Sequence, residues 1–86
     1  MAEQLIGSVT HYFGKAGVAA IRITDGELRV GDTIRVVGHT SDFTQTIDSM
    51  QIDRTPVEVA RVGDEIGVKV VAHAREHDHV YRVLPG

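Results

Sequence analysis

Apolar and polar residues alternate in short runs along most of the chain, and the alternation has a period of two. Residues 5–13 predict a first strand, with Leu5, Gly7, Val9, His11 and Phe13 on one face and Ser8, Thr10 and Tyr12 on the other. The two glycines of Gly14-Lys15-Ala16-Gly17 then break the pattern as a turn. A second strand over 17–23 directs Ala19, Ile21 and Ile23 to the core, and the small Ala19 and Ala20 suit a crowded interior or a close strand approach. Thr24-Asp25-Gly26-Glu27 carries Asp-Gly at its centre and reads as the next turn. A third strand over 33–37 ends at Gly38, and His39-Thr40-Ser41-Asp42 is a polar loop.

The run 43–53 predicts a longer strand whose phase slips. Phe43, Gln45 and Ile47 share one parity and Met50 and Ile52 the other, so a β-bulge is expected near Asp48-Ser49. Arg54-Thr55-Pro56-Val57 reads as a turn, because Pro56 cannot donate to a central ladder. Residues 65–71 form a fifth strand, 72–79 a polar loop rich in histidine, and 80–84 a short last strand. No amphipathic helical period persists over three turns. The pattern specifies an all-β fold.

One stretch organises the rest because it occurs twice. Leu28-Arg29-Val30-Gly31-Asp32-Thr33-Ile34-Arg35-Val36 returns as Ala60-Arg61-Val62-Gly63-Asp64-Glu65-Ile66-Gly67-Val68. Each copy is a Gly-Asp turn followed by a strand with alternate apolar positions. Gly supplies the positive φ of a tight turn, and Asp closes it through its side chain. Two such corners in a small chain predict a closed or nearly closed barrel, and they account fully for Asp32 and Asp64 as turn residues.

Composition narrows the function. At 86 residues the chain is read as one domain, 1–86, of a size that buries roughly 60–65% of its unfolded surface. It has no cysteine, so disulfides and thiolate chemistry are excluded. No basic, then apolar leader opens the sequence, and no run approaches the ~20 apolar residues of a membrane span. A cytoplasmic protein without a membrane role is expected. The net charge of −3, with acids and bases interspersed, confines any nucleic-acid contact to a local patch.

The run Gly14-Lys15-Ala16-Gly17-Val18-Ala19-Ala20-Ile21, the two Arg-Val-Gly-Asp corners and Met50-Gln51-Ile52 together resemble domain 2 of translational GTPases. That is the β-barrel following the GTPase domain in elongation factor Tu and bacterial initiation factor two. The resemblance covers nearly the whole chain and implies a six- to seven-stranded antiparallel barrel of the translation-protein type. It does not extend to nucleotide hydrolysis. A phosphate-cradling loop needs Gly-x-x-x-x-Gly-Lys-Ser/Thr, and the nearest match, Gly7 to Gly14-Lys15-Ala16, has the wrong spacing and no hydroxyl. In that family the barrel contacts tRNA near its aminoacylated 3′ end, or ribosomal RNA and neighbouring domains. By position, Gln51 and Arg54 fall where elongation factor Tu places a Glu and an Arg near the terminal adenosine. Gly7-Ser8 stands where it has an acidic pair.

Three groups of residues invite a functional reading. Gln51 and Arg54 offer hydrogen bonds and a planar guanidinium for a base. Tyr12 and Lys15, with His11 and Phe13 beside them, combine stacking with a phosphate contact, although Phe13 also suits the core and Tyr12 a cross-strand pair. His73, His77 and His79, with Glu76 and Asp78, have ligand chemistry but no scaffold that makes them converge, so a solvated loop is expected rather than a metal site. Below about pH 6.5 the same histidines would make the loop cationic. No nucleophile elbow and no cofactor motif is present, so the chain is not expected to be an enzyme. The first functional expectation is a stand-alone, translation elongation factor-like barrel that binds tRNA or ribosomal RNA as an accessory module, without a GTPase. The second is a protein-interaction module that docks onto an enzyme of translation or RNA modification, for example a U32 peptidase-type protein.

Overall fold

The period-two alternation becomes ten strands in the computed structural model, which describes residues 2–84. They are β1 (Ala2–Phe13), β2 (Val18–Ile23), β3 (Glu27–Arg29), β4 (Thr33–Val37), β5 (Asp42–Thr46), β6 (Met50–Ile52), β7 (Thr55–Val57), β8 (Val59–Arg61), β9 (Glu65–Lys69) and β10 (His79–Leu84). Eight form one antiparallel sheet in the order β5-β4-β10-β1-β2-β9-β6-β7, and β3 pairs with β8 apart from it. The sheet curls into a barrel around Ile6, Val9, Ile21, Ile34, Met50, Ile66 and Val80, all at most 1% exposed. Between β5 and the end of β9 the closure is made by one side chain. Gln45 Nε2 donates to the Lys69 carbonyl and its Oε1 accepts the Val71 N–H, both at 2.8 Å.

The expected all-β barrel is therefore present, but two strands differ from the alternation. In β1 the register shifts at Ile6 against β10 and at Thr10 against β2. Each extra residue turns the strand over. Ile6 and Val9 consequently face the core, whereas Leu5 and Phe13, both assigned to a common face with Val9, are 42% and 51% exposed. The second correction concerns 43–53. There is no bulged continuous strand: β5 ends at Thr46, residues 47–49 leave the sheet, and β6 resumes beside β9. The phase slip records a change of partner. Pro56 lies in β7, at the edge of the sheet, where its missing N–H costs no ladder bond.

The repeated corners explain why the chain bends where it does. The Arg29 N–H donates to Asp32 Oδ2 at 2.9 Å while the Asp32 N–H returns to the Arg29 carbonyl at 3.0 Å. Arg61 and Asp64 repeat this at 2.8 and 2.9 Å. Gly31 and Gly63 sit at φ 98° and 95°, where a side chain would be strained. The corners also meet each other, since Leu28 pairs with Ala60 across β3 and β8.

A third corner of identical construction lies at Arg75-Glu76-His77-Asp78. The Arg75 N–H donates to Asp78 Oδ2 at 2.9 Å and the Asp78 N–H to the Arg75 carbonyl at 3.1 Å, with His77 at φ 74° in the glycine position. All three corners grip a buried apolar residue by the same pair of bonds. Gly31 and Asp32 hold Ile47, Gly63 and Asp64 hold Ile23, and His77 and Asp78 hold Val9, at 2.8–2.9 Å throughout. The residue before each Arg is Leu28, Ala60 or Ala74, and each is fully buried. The histidine-rich segment is thus not a solvated loop along its whole length; its centre is a structural corner.

On the outer surface, Arg35 makes a two-pronged contact with Asp42 (Nε to Oδ1 and Nη2 to Oδ2, both 3.0 Å) and also reaches Glu3. The Arg35 hydrogen bonds hold the Asp42 carboxyl below the usual carboxylate range. A lowered carboxylate contributes stability above that range and loses it as pH falls through the folded-state value. Asp42→Asn is therefore expected to lower the melting temperature slightly near pH 7, the pair being exposed. The difference from wild type should shrink progressively in melts as pH falls below the usual carboxylate range.

Candidate docking groove and histidine-lined end

β2, β9 and β6 run side by side, and their outward residues are unusually small where they meet. Ala20 of β2 pairs with Gly67 of β9, which in turn pairs with Gln51 of β6. Val18 completes a low floor. Around it rise Phe13 from the end of β1, Gln51, and the Asp53-Arg54 turn joining β6 to β7, leaving a hollow of about 470 Å³. Glu65 borders the other end and is held by the Thr10 hydroxyl, which donates to its Oε2 at 2.7 Å.

Gly67 is not demanded by the fold. Its φ is not positive, and a Cβ there would meet Val18 Cγ1 at 3.6 Å, an ordinary contact. The matching positions after the other two corners carry Arg35 and Tyr81. Glycine inside a strand costs stability and marks a place where something else comes close. Arg54 also departs from local preference. It and Asp53 occupy the two central positions of the β6–β7 hairpin at φ 65° and 50°, where Asn-Gly is favoured. Local strain of this kind collects at functional sites. Arg54→Gly is expected to raise stability by about 1 kcal/mol in denaturant melts, at the expense of the guanidinium beside the groove.

The structure thus brings Gln51 and Arg54 together at one hollow. Phe13, read as either a stacking or a core residue, forms its wall, and Ala20, whose small size suited a close strand approach, forms its floor. The alternation assigned Ala19 to the core face, where it is fully buried. Gly67 in mid-strand was the available pointer to the groove.

Tyr12 and Lys15 are not part of this hollow. Lys15 is exposed in the turn between β1 and β2. Tyr12 points the opposite way from Phe13, its ring 4.4 Å from that of His73. There it lines a second hollow with His73, Arg75 and Glu76. A third hollow, sharing Arg75 and Glu76, is lined by His39, His77 and His79. His11 completes the gathering, with Nδ1 at 3.3 Å from Glu76 Oε1. Among the described residues, no group of three His, Asp or Glu side chains, His73, His77 and His79 included, is placed to hold one metal ion. Asp78 is turned inward to its corner bond and is 5% exposed. Asp32 and Asp64 likewise serve their corners.

Residues 16–80 match the family model for elongation factor Tu domain 2. The chain belongs to that family. Its relatives point to a particular branch. It is 39% identical over 77 residues to an uncharacterized protease of Methanocaldococcus jannaschii, covering 88% of this chain and 19% of that protein. It is 33% identical over 78 residues to a collagenase of Porphyromonas gingivalis, covering 90% of this chain and 22% of that protein. The chain thus spans about a fifth of the length of these relatives. The fold superimposes on the C-terminal domain of a U32 peptidase-type protein of Geobacillus thermoleovorans with a TM-score of 0.86 at 20% identity, covering 94% of this chain and 93% of that one. These relatives are proteases and peptidase-type domains, so the expectation of a stand-alone elongation factor gives way to an elongation factor Tu domain 2-type barrel like those of U32 peptidase-type proteins.

Proposed function

We propose that this barrel is the non-catalytic docking module of a U32 peptidase-type protein and that the Phe13–Arg54 groove is its contact face. The likeness of nearly the whole chain to one fifth of much longer proteases carries this reading, since in those relatives such a barrel is a small part of a longer protein. The groove supplies the surface. Its floor of Val18, Ala20 and Gly67 can receive an apolar side chain from a facing polypeptide, with Gln51 and Arg54 offering hydrogen bonds at the rim. Its charge suits a polypeptide better than RNA: one guanidinium, Arg54, stands against the carboxylates of Asp53 and Glu65, a poor setting for phosphates. The RNA role of Gln51 and Arg54 is accordingly the lesser reading.

The test is to fill the groove without disturbing the core. Gly67→Leu places a side chain over Ala20 and Val18 and is expected to keep the wild-type melting temperature within a few degrees. It should weaken binding to the catalytic portion of a U32 peptidase-type relative, prepared without its own barrel, by at least about tenfold in calorimetry. Undiminished binding by the variant would remove the groove from the interface. The isolated chain is expected to hydrolyse neither gelatin nor casein; cleavage by it would end the non-catalytic reading.

A further inference from the structure

All five histidines of the chain meet at one end of the barrel, although they come from β1, the turn after β4 and the segment around the third corner. The chain has no cysteine, so these are its side chains that ordinarily change charge between pH 5 and 8. From this we infer a second binding surface: the histidine-lined end takes the phosphate backbone of single-stranded nucleic acid and grips it more tightly as pH falls. This stands apart from the docking reading of the groove and shares one residue with it, Phe13, whose ring neighbours His11.

The groups facing the imidazoles decide the sign. His11 faces Glu76 at 3.3 Å and stacks on Phe13, with ring centroids 4.4 Å apart. His73 faces Tyr12 and shares its hollow with Arg75 and Glu76. His39, His77 and His79 share theirs with Arg75, Glu76 and Asp78, and His79 also neighbours Tyr81. With neutral imidazoles, the end therefore sets one guanidinium against two carboxylates. Protonation makes it six cations against the same two, one of which is already committed to the Arg75 N–H.

The polar character of this end favours a polyanion over a protein partner. A protein interface needs an apolar centre. Among the described residues, Phe13 is the exposed large apolar side chain whose contact with the end is direct, by way of His11. Phosphates need cations and little apolar area, and the Tyr12–His73 and His11–Phe13 pairs present ring faces on which bases stack.

The probe is a fluorescein-labelled oligouridylate of about 20 nucleotides, followed by anisotropy at about 50 mM salt. Its dissociation constant is expected to fall at least about tenfold between roughly pH 7.5 and pH 5.5. A His39→Gln/Arg75→Gln/His79→Gln variant keeps the backbone and Asp78 bonds of the third corner, so it should fold and lose most of that gain. Ring-proton signals of His11 and His73 should move on addition of the oligonucleotide. Affinity indifferent to pH, an undiminished gain in the variant, or ring signals that stay still would overturn the proposal. So would a polyglutamate peptide binding as tightly as the oligonucleotide, which would assign the surface to an acidic polypeptide.

Discussion

Gly7→Ala is expected to cost on the order of 3 kcal/mol or more of folding stability in urea melts. Gly7 is buried in β1 opposite Ile23 of β2, and a Cβ there would overlap the Arg22 carbonyl oxygen. The clash is backbone against backbone, so no rotamer change relieves it and the two strands must part. The comparison that gives the result its meaning is Gly67→Ala. That glycine also lies within a strand, but its added methyl finds ordinary contact, so the change is expected to stabilise by about 0.5–1 kcal/mol. Opposite signs for one substitution at two strand glycines would separate a glycine required by the fold from one kept for the groove. A cost at Gly67 as large as that at Gly7 would instead make Gly67 structural.

The second large effect is expected at the third corner. Asp78→Ala should destabilise by about 2–3 kcal/mol, more than Asp32→Ala or Asp64→Ala at about 1–2 kcal/mol. All three carboxylates accept the N–H of the Arg three residues earlier, so local geometry does not distinguish them. Burial does. Asp78 is 5% exposed and packs against Gly38, leaving no water to replace its bond to Arg75. Equal losses at the three positions would mean that the corners are equivalent in energy as well as in geometry.

The legibility of this fold follows from those corners. Two were plain in the sequence because glycine occupies the position of positive φ and a Val-Gly-Asp triplet recurs. The third was hidden because His77 takes the glycine position and Glu76 replaces the valine. What survives of the pattern is Ala-Arg-x-x-Asp-x-Val, with Ala74 and Val80 buried like Leu28 and Ile34. That residue was legible in principle, but without the glycine it looked like part of a polar, histidine-rich loop. β1 failed for another reason. Two single-residue bulges reverse the faces of a strand whose sequence alternates almost perfectly, and nothing local marks Ile6 or Thr10 as the extra residue.

The candidate sites were legible as residue types and not as groupings. Gln51 and Arg54, paired by their positions in the elongation factor Tu resemblance, line one hollow because the β6–β7 hairpin makes them neighbours. Tyr12 and Lys15 were grouped by adjacency in sequence, but a strand sends neighbouring side chains to opposite faces. Tyr12 consequently joins His73, and Phe13 joins the groove. The assembly of His11 and His39 with the 73–79 segment depends on long-range pairing, since β10 lies between β1 and β4.

The most direct measurement of the central claim is an amide chemical-shift titration of the labelled barrel near pH 7.5. One arm adds the catalytic portion of a U32 peptidase-type relative lacking its barrel, and the other adds bulk tRNA. A docking module predicts shifts from the protein arm that cluster on Phe13, Val18, Ala20, Gln51, Arg54 and Gly67. Shifts at that groove from tRNA, with none from the catalytic portion, would contradict the account and return the barrel to the RNA-binding reading.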